Sequence, residues 1–183
     1  MLTLETSRLI FRPWQDRDRA PFAAINADPE TRQYYYPSLL TPAETDAMID
    51  EANEQLASDG FGFLAVERKA DGVLIGGAGL SRPGPEVPGN FPIEIGWILG
   101  RPYWRQGYAT EASHCCLDFA WEQLRIDEVI GYTSSINIPS RRAMEKIGMV
   151  HVAGADFDDT TVPPGHILRP HVLYRIDRPL VRH

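Results

Sequence analysis

The sequence predicts a mixed α/β domain whose sheet is largely antiparallel and partly parallel. Strand-like hydrophobic segments alternate with segments of helical spacing along the 183 residues, without a repeat or a low-complexity linker. A turn at residues 69–72 joins two adjacent strands as an antiparallel hairpin, whereas a strand, a helix and a strand within residues 93–135 predict one parallel pair. A hydrophobic content of 43% suffices for the core of one domain over residues 1–183.

The first part of the chain contains a strand and two helices. Residues 8–12 predict a strand because charged residues flank their hydrophobic positions, and residues 16–27 predict a short helix. A second helix begins after Thr41, which can cap it, while Glu44 closes a capping box. Gly60 is expected to end that helix.

The remainder of the chain adds strands, two helices and two loops. Helices are predicted over residues 110–124, where small and apolar residues share one face, and from Pro139 to Gly148. Proline-rich segments at 83–92 and 156–170 predict loops. The predicted strands share β-branched and aromatic residues between turn signals; they are residues 61–67, 73–80, 93–99, 129–135, 149–152 and 172–176.

Charge, hydropathy and cysteine content argue against several classes of function. The net charge of −7 disfavours a nucleic-acid partner and weakly favours a cationic or amine substrate. The chain lacks an apolar run of the roughly 18 residues that span a membrane, and it lacks the charge pattern of a signal peptide, so a cytoplasmic protein without a membrane partner is expected. Adjacent Cys115 and Cys116 disfavour a mutual disulfide or a metal site and predict buried packing.

The run from Trp104 to Ala112, between a predicted strand and a predicted helix, has the features of an anion site. Free N–H groups at a helix start, together with the helix dipole, bind phosphate readily. Gly107 and Ala109 would let a bulky ligand approach the main chain closely. Since glycine is also common where a strand turns into a helix, a purely structural role remains open for this motif taken alone.

A second motif follows from Asn137 to Met149, where Asn137 ends a strand, Pro139 and Ser140 begin a helix and Gly148 terminates it. Both motifs in this order resemble the GNAT superfamily of N-acetyltransferases, most closely the subgroup that acetylates the N-termini of ribosomal proteins. The resemblance covers residues 7–176. The chain departs from the subgroup's pattern at Arg105, where glycine is usual, and at Met149, where an aromatic residue is usual.

The resemblance implies a fold and a co-substrate. The implied fold is a mainly antiparallel twisted sheet of about seven strands with about four helices, splayed between the fourth and fifth strands. The implied co-substrate is acetyl-CoA. Its pantetheine arm would pair with the main chain of Ile98 and Leu99, as an added strand does. Its pyrophosphate would be bound by the loop, through the side chain of Arg105 and the main chain of Gln106, Gly107, Tyr108, Ala109 and Thr110.

The resemblance also implies candidate catalytic residues. Ser140 would donate to the departing thiolate, and Asn137 would fix the cofactor or a water. Met144 stands where many GNAT enzymes carry a tyrosine, so that tyrosine's role has no counterpart here. Glu94 is the best-placed carboxylate to act as a base, provided that burial raises its pKa toward neutrality. A solvated Glu94, or one paired with an arginine, is the alternative.

Residues for acceptor binding are less clearly marked. Trp14, Tyr35 and His171 are candidates to line the acceptor pocket, with ordinary packing as the alternative for the tyrosine cluster at 34–36. His114 is expected at the surface, and no metal site is indicated.

The leading hypothesis is acetyl transfer from acetyl-CoA to a primary amine by direct attack in a ternary complex. The amine would belong to a small molecule or a protein N-terminus, and the protein would be a monomer or a homodimer. One alternative is a non-catalytic acyl-CoA-binding or regulatory domain of the same fold. Another is an unrelated nucleotide-phosphate binder.

Overall fold

The computed structural model describes residues 2–179, and these contain four α-helices and nine strands. The helices are α1 (Asp16–Asn26), α2 (Pro42–Asp59), α3 (Tyr108–Glu122) and α4 (Ile138–Lys146), with a short 3-10 helix at Arg101–Tyr103. The strands are β1 (Leu4–Glu5), β2 (Leu9–Arg12), β3 (Phe63–Arg68), β4 (Val73–Ser81), β5 (Glu94–Leu99), β6 (Glu128–Ser134), β7 (Val150–His151), β8 (Phe157–Asp158) and β9 (Pro170–Asp177).

The strands form one sheet in the order β1-β2-β3-β4-β5-β6-β9-β7, and β8 also pairs with β9. Every pairing is antiparallel except that of β5 with β6. These two parallel strands share one register pair, Glu94 with Ile130, so they part immediately after it. The predicted fold class and splay are confirmed. Nine strands form rather than about seven, because β1 and β8 have two residues each and leave no periodic pattern.

Helices cover both faces of the sheet. The larger core includes Ala112 and Cys116 of α3 and Met144 of α4, packed against one face. A smaller core on the opposite face joins Phe22 of α1 and Ile49 of α2 to the sheet. The gap between β5 and β6 widens toward the carboxyl ends of both strands, after which the chain enters α3 and α4.

The ends of the helices follow local chemistry, with two corrections to the sequence-based boundaries. The predicted capping box at Thr41 and the left-handed glycine at Gly60 are both present in α2. Helix α3 begins at Tyr108, two residues earlier than predicted, because Gly107 in the left-handed conformation turns the chain directly into the helix. Asn137 is the N-cap of α4 rather than a strand end, since β6 already stops at Ser134.

Within residues 2–179, each helix is too short or too polar to cross a membrane.

Candidate active site

The loop after β5 presents the N-terminus of α3 to solvent. Trp104 Nε1 donates to the Leu99 carbonyl at 2.7 Å, and Gln106 Nε2 donates to the Pro102 carbonyl at 2.8 Å, which fixes the loop's course. The N-cap is Gly107, whose lack of a side chain leaves the first turn of α3 without a side-chain cap. The first helical bond is made by the N–H of Glu111. The preceding N–H groups, of Tyr108, Ala109 and Thr110, are therefore available to an anion.

Arg105 adopts a left-handed backbone conformation in this loop, with φ of 59°. An L-residue in this region carries a cost of roughly 1–2 kcal/mol, whereas glycine does not. This conformational cost explains why glycine is usual at this position in the subgroup that the sequence resembles. The exposed Arg105 guanidinium makes no hydrogen bond or ion pair with the described part of the chain, residues 2–179.

The backbone of β5 alternates between its antiparallel partner β4 and the gap. The Gly100 N–H donates to the Ile75 carbonyl at 2.9 Å, and Ile98 lies opposite Gly77 in the same register. Antiparallel alternation then directs the main chain of Ile98 toward β4 and that of Trp97 and Leu99 toward the gap. Of the two residues expected to bind pantetheine, Leu99 faces the gap and Ile98 does not; Trp97 is the gap-facing residue that sequence reasoning missed.

Glu94 lies where β5 and β6 part. Its Oε1 accepts from Ser81 Oγ at 2.8 Å, while its Oε2 is buried without a hydrogen-bond partner. Burial raises the pKa of Glu94, and the charge of Glu86 acts in the same direction; the nearby Tyr132 hydroxyl and the hydrogen bond from Ser81 oppose this rise. Among residues 2–179 Glu94 forms no ion pair with an arginine, so that alternative is not realised.

Open space lies in front of the sheet beside Glu94. Gly96 follows Glu94 by two positions and therefore shares its face. A Cβ added at Gly96 would meet no atom within 4 Å. The Glu94 carboxylate, with one oxygen lacking a hydrogen-bond partner, thus lies on the same face of β5 as the open space at Gly96.

Asn137 and Ser140 mark the start of α4. The Asn137 Oδ1 accepts from the Ser140 N–H at 3.2 Å, and its Nδ2 donates to Thr133 Oγ1 at 2.9 Å. Both ends of the Asn137 amide therefore hold protein groups, so it supports the helix start. Ser140 is half-buried in the first turn of α4. Met144 is 2% exposed in the main core, where it would contact a Cβ at Gly131, so this side chain serves packing.

The three candidate acceptor residues occupy different environments. Trp14 is 4% exposed, and its Nε1 donates to the Phe63 carbonyl at 2.7 Å, so it is a core residue beneath α1 and α2. Tyr35 reaches the gap, because its hydroxyl donates to the Trp97 carbonyl at 3.1 Å. Arg32 lies over the Tyr35 ring at 4.8 Å.

His171 belongs to an aromatic group on β6, β8 and β9. Its ring stacks on Phe157 at 5.5 Å and lies 6.1 Å from the ring of Tyr132. Its Nδ1 lies 3.0 Å from the Arg169 carbonyl, which can only accept, so Nδ1 carries the hydrogen. Its Nε2 lies 3.8 Å from Asp159 Oδ2. The sheet register places His171 and Tyr132 on the same face of the sheet as Glu94.

Ser81 and Tyr132 are site residues that sequence reasoning missed. Ser81 lies on the strand beside Glu94, and Tyr132 lies on the strand across the gap. Burial raises the pKa of Tyr132, as do the neighbouring carboxylates of Glu94, Glu86 and Asp159. No local pattern marks either residue, because their relation to Glu94 depends on strand register.

The two thiols and His114 form no second reactive centre in the part of the chain that the structure describes. Burial raises the pKa of Cys115 to about 11 and that of Cys116 still further, so neither thiol is activated as a nucleophile. His114 is exposed, as expected. Within residues 2–179 no group of three or more His, Cys, Asp or Glu side chains is arranged to hold a metal ion.

Comparison with known proteins identifies the family. A family model described as an acetyltransferase (GNAT) domain matches residues 8–150. An FsC-acetyl coenzyme A-N(2)-transacetylase of Aspergillus fumigatus is 31% identical over 96% of this chain and 76% of its own length. The structure of a GNAT-family acetyltransferase from Bacillus anthracis matches with a TM-score of 0.78 and 22% identity, covering 96% of this chain and 98% of its own.

The ribosomal-protein subgroup is similar in fold. The structure of the ribosomal-protein-S5-alanine acetyltransferase from Vibrio fischeri matches with a TM-score of 0.71 and 14% identity, over 97% of each chain. At that identity the likeness concerns the fold and not the acceptor. The family model, which matches most of the chain, and the fungal relative together show that the chain belongs to the GNAT family and is an N-acetyltransferase.

Proposed function

We propose that the protein transfers the acetyl group of acetyl-CoA to a primary amine by direct attack in a ternary complex. The observation that carries this proposal is the gap between β5 and β6, which has anion-binding N–H groups at one end and a buried, partly unpartnered carboxylate at the other. The β5 segment from Leu99 back to Glu94 spans about 17 Å of extended chain. An extended co-substrate along it would carry its acetyl end toward Glu94.

Acetyl-CoA would be bound largely by main-chain N–H donors. The N–H groups of Tyr108, Ala109 and Thr110, with the helix dipole, would hold the pyrophosphate. Arg105 would add a charge-assisted contact to the same phosphates. The gap-facing main chain of Trp97 and Leu99 would pair with pantetheine, and one of these N–H groups would face the thioester oxygen as negative charge develops on it.

The chemical step requires that the attacking amine lose its proton. Glu94 would accept that proton directly or through a water, because burial raises its pKa and so makes the carboxylate a stronger base. Ser140 would donate to the departing thiolate of CoA, and Asn137 holds the main chain of Ser140 in place. Tyr35 and His171 would border the acceptor, whereas Trp14 would support the pocket from within the core.

The acceptor is proposed to be an amine of a small molecule or of a protein N-terminus. The name of the fungal relative describes transfer from acetyl-CoA to a nitrogen of its own substrate, which supports the reaction class. The net charge of −7 favours an acceptor that approaches as a cation.

Release of CoA thiol from acetyl-CoA, measured over a panel of amines, tests the proposal. We expect turnover with at least one amine, and a decrease in kcat/KM of about 100-fold or more for Glu94→Gln. For Ser140→Ala we expect a decrease of about tenfold or more in kcat. Glu122→Gln, an exposed carboxylate on α3, serves as the matched control.

One observation favours a second candidate, an acyl-CoA-binding domain without turnover. The tyrosine that many family members use as an acid is replaced by buried Met144. Tight binding of CoA without thiol release on any amine would support that candidate and contradict the acetyltransferase proposal.

A further inference from the structure

Arg8, immediately before β2, reaches across to the loop and first turn of α3. Its Nε donates to Glu111 Oε2 at 2.6 Å, and its Nη1 donates to the Gln106 carbonyl at 2.9 Å. The guanidinium carbon lies 4.4 Å from the centre of the Tyr108 ring. A Cβ at Gly107 would approach Arg8 Nη2 to 3.4 Å, so the arginine also lies against the helix N-cap. One side chain thereby contacts or borders three consecutive positions, from Gln106 to Tyr108, and also binds Glu111.

Glu111 is an unexpected residue at this place. It lies in the first turn of α3, next to the N–H groups proposed to bind phosphate. A carboxylate there is favoured by the helix dipole when no ligand is bound, but it repels a phosphate that approaches the same helix end. The protein binds this carboxylate with four groups: the hydroxyls of Thr6 and Ser7, the Arg8 N–H at 3.0 Å and the Arg8 guanidinium.

We propose that Arg8 is a positioning residue for cofactor binding. Its guanidinium neutralises Glu111 at the phosphate-binding end of α3 and fixes the Gln106 carbonyl of the loop. This inference rests on the proposed binding of acetyl-CoA to that loop. Arg8 acts through Glu111 and Gln106, because its Nε, Nη1 and Nη2 already contact protein oxygens. The charge that neutralises Glu111 thus comes from a residue 103 positions earlier in the chain.

Calorimetric binding of CoA and steady-state kinetics with acetyl-CoA test the inference. For Arg8→Ala we expect the Kd for CoA and the KM for acetyl-CoA to rise about tenfold, while kcat and the KM for the amine stay within about twofold. Adding Glu111→Gln to this variant removes the repelling charge, so at least half of the lost affinity, on a logarithmic scale, should return. Glu111→Gln alone should bind CoA at least as tightly as the parent protein.

Two further variants keep the result interpretable. Arg8→Lys retains the charge but not the fork of donors, and it should bind CoA more tightly than Arg8→Ala. Arg17→Ala removes an arginine of α1 that pairs with Glu67, on the face of the sheet opposite α3, and it should leave CoA binding unchanged.

The outcomes separate this inference from the proposed function. Unchanged CoA affinity in Arg8→Ala, or a double variant that binds no more tightly than Arg8→Ala, would overturn the role of Arg8 while leaving the proposed function intact. Equal losses in kcat and in both KM values would also overturn it, since they indicate a general loss of structure. Absence of CoA binding to the parent protein would instead contradict the proposed function itself.

Discussion

Arg105 shows how one residue can combine conformational cost with a ligand contact. Its left-handed φ of 59° suits glycine, yet the chain places a long cation there, beside the open end of α3. Strain of this kind is commonly maintained at binding sites, where the side chain compensates by its contacts to a ligand. In this chain the ligand would be the pyrophosphate of acetyl-CoA.

Replacing Arg105 should therefore change stability and affinity in opposite directions. Arg105→Gly relieves the strained φ, so the free energy of unfolding should rise by about 0.5–1 kcal/mol after the added entropy of glycine is subtracted. The lost charge should raise the Kd for CoA about threefold or more. Urea unfolding and calorimetry measure the two effects. Arg105→Lys keeps both charge and strain, and it should match the parent protein in each measurement.

The hydrogen bond between Ser81 and Glu94 predicts that replacing Ser81 changes how kcat/KM depends on pH. The base must be ionised to act, so kcat/KM should fall as the pH drops through the pKa of Glu94. The Ser81 hydroxyl donates to this carboxylate at 2.8 Å and so favours its ionised form. Ser81→Ala should raise the pKa of Glu94 and shift the acidic limb of the pH profile to higher pH. The control Ser58→Ala, on the exposed end of α2, should leave the profile in place; an unshifted limb in Ser81→Ala would contradict Glu94 as the base.

Helix α4 illustrates how an element's boundary changes the role assigned to a residue. With the helix starting at Ile138, Asn137 becomes its N-cap, and the side chain is bonded at both ends of its amide. The Pro139 signal indicated a helix start from sequence alone. The bond to Thr133 was not foreseeable, because it requires the bend between β6 and α4 that brings the two residues together.

Asn137→Ala should therefore act mainly on stability. Losing the cap and the bond to Thr133 should lower the free energy of unfolding by about 1–2 kcal/mol, measured in urea. Asn137→Asp can still accept from the Ser140 N–H and should retain most of that stability. If Asn137→Ala remained as stable as the parent protein but lost activity by about 100-fold, a direct catalytic role would replace the supporting one.

The alternation along β5 predicts which amide protons exchange more slowly when acetyl-CoA binds. The N–H groups of Trp97 and Leu99 face the gap, whereas that of Ile98 is directed toward Gly77 on β4. Binding of acetyl-CoA should therefore slow hydrogen exchange at Trp97 and Leu99 and leave Ile98, already protected, little changed. Nuclear magnetic resonance resolves the three amides separately. Slower hydrogen exchange at Ile98 alone would contradict the alternation and would support the pairing of Ile98 with pantetheine that the sequence predicts.

At the scale of the whole molecule, the sequence predicted the order of elements and the glycine turn into α3, because both depend on local patterns. Glycine at 107 and proline at 139 act on their immediate neighbours, so their effects can be recognised without a structure. The pairing of Glu94 with Ser81, the core position of Trp14 and the contacts of Arg8 depend on register and packing between distant segments. No periodicity encodes such contacts, so only the structure showed them.

The gap between β5 and β6 also predicts how the whole molecule responds to its ligand. Acetyl-CoA would join the α3 end to the unpaired edge of β5, and a ligand at one hundred times its Kd stabilises a protein by about 2.7 kcal/mol. For a chain of this size that corresponds to a rise in Tm of about 5–10 °C. ATP or NAD at the same concentration can offer phosphates to α3 but no pantetheine to β5, so each should raise Tm by less than about 2 °C. Equal stabilisation by ATP and acetyl-CoA would mean that the loop recognises phosphate alone, and it would contradict the proposed binding of pantetheine along β5.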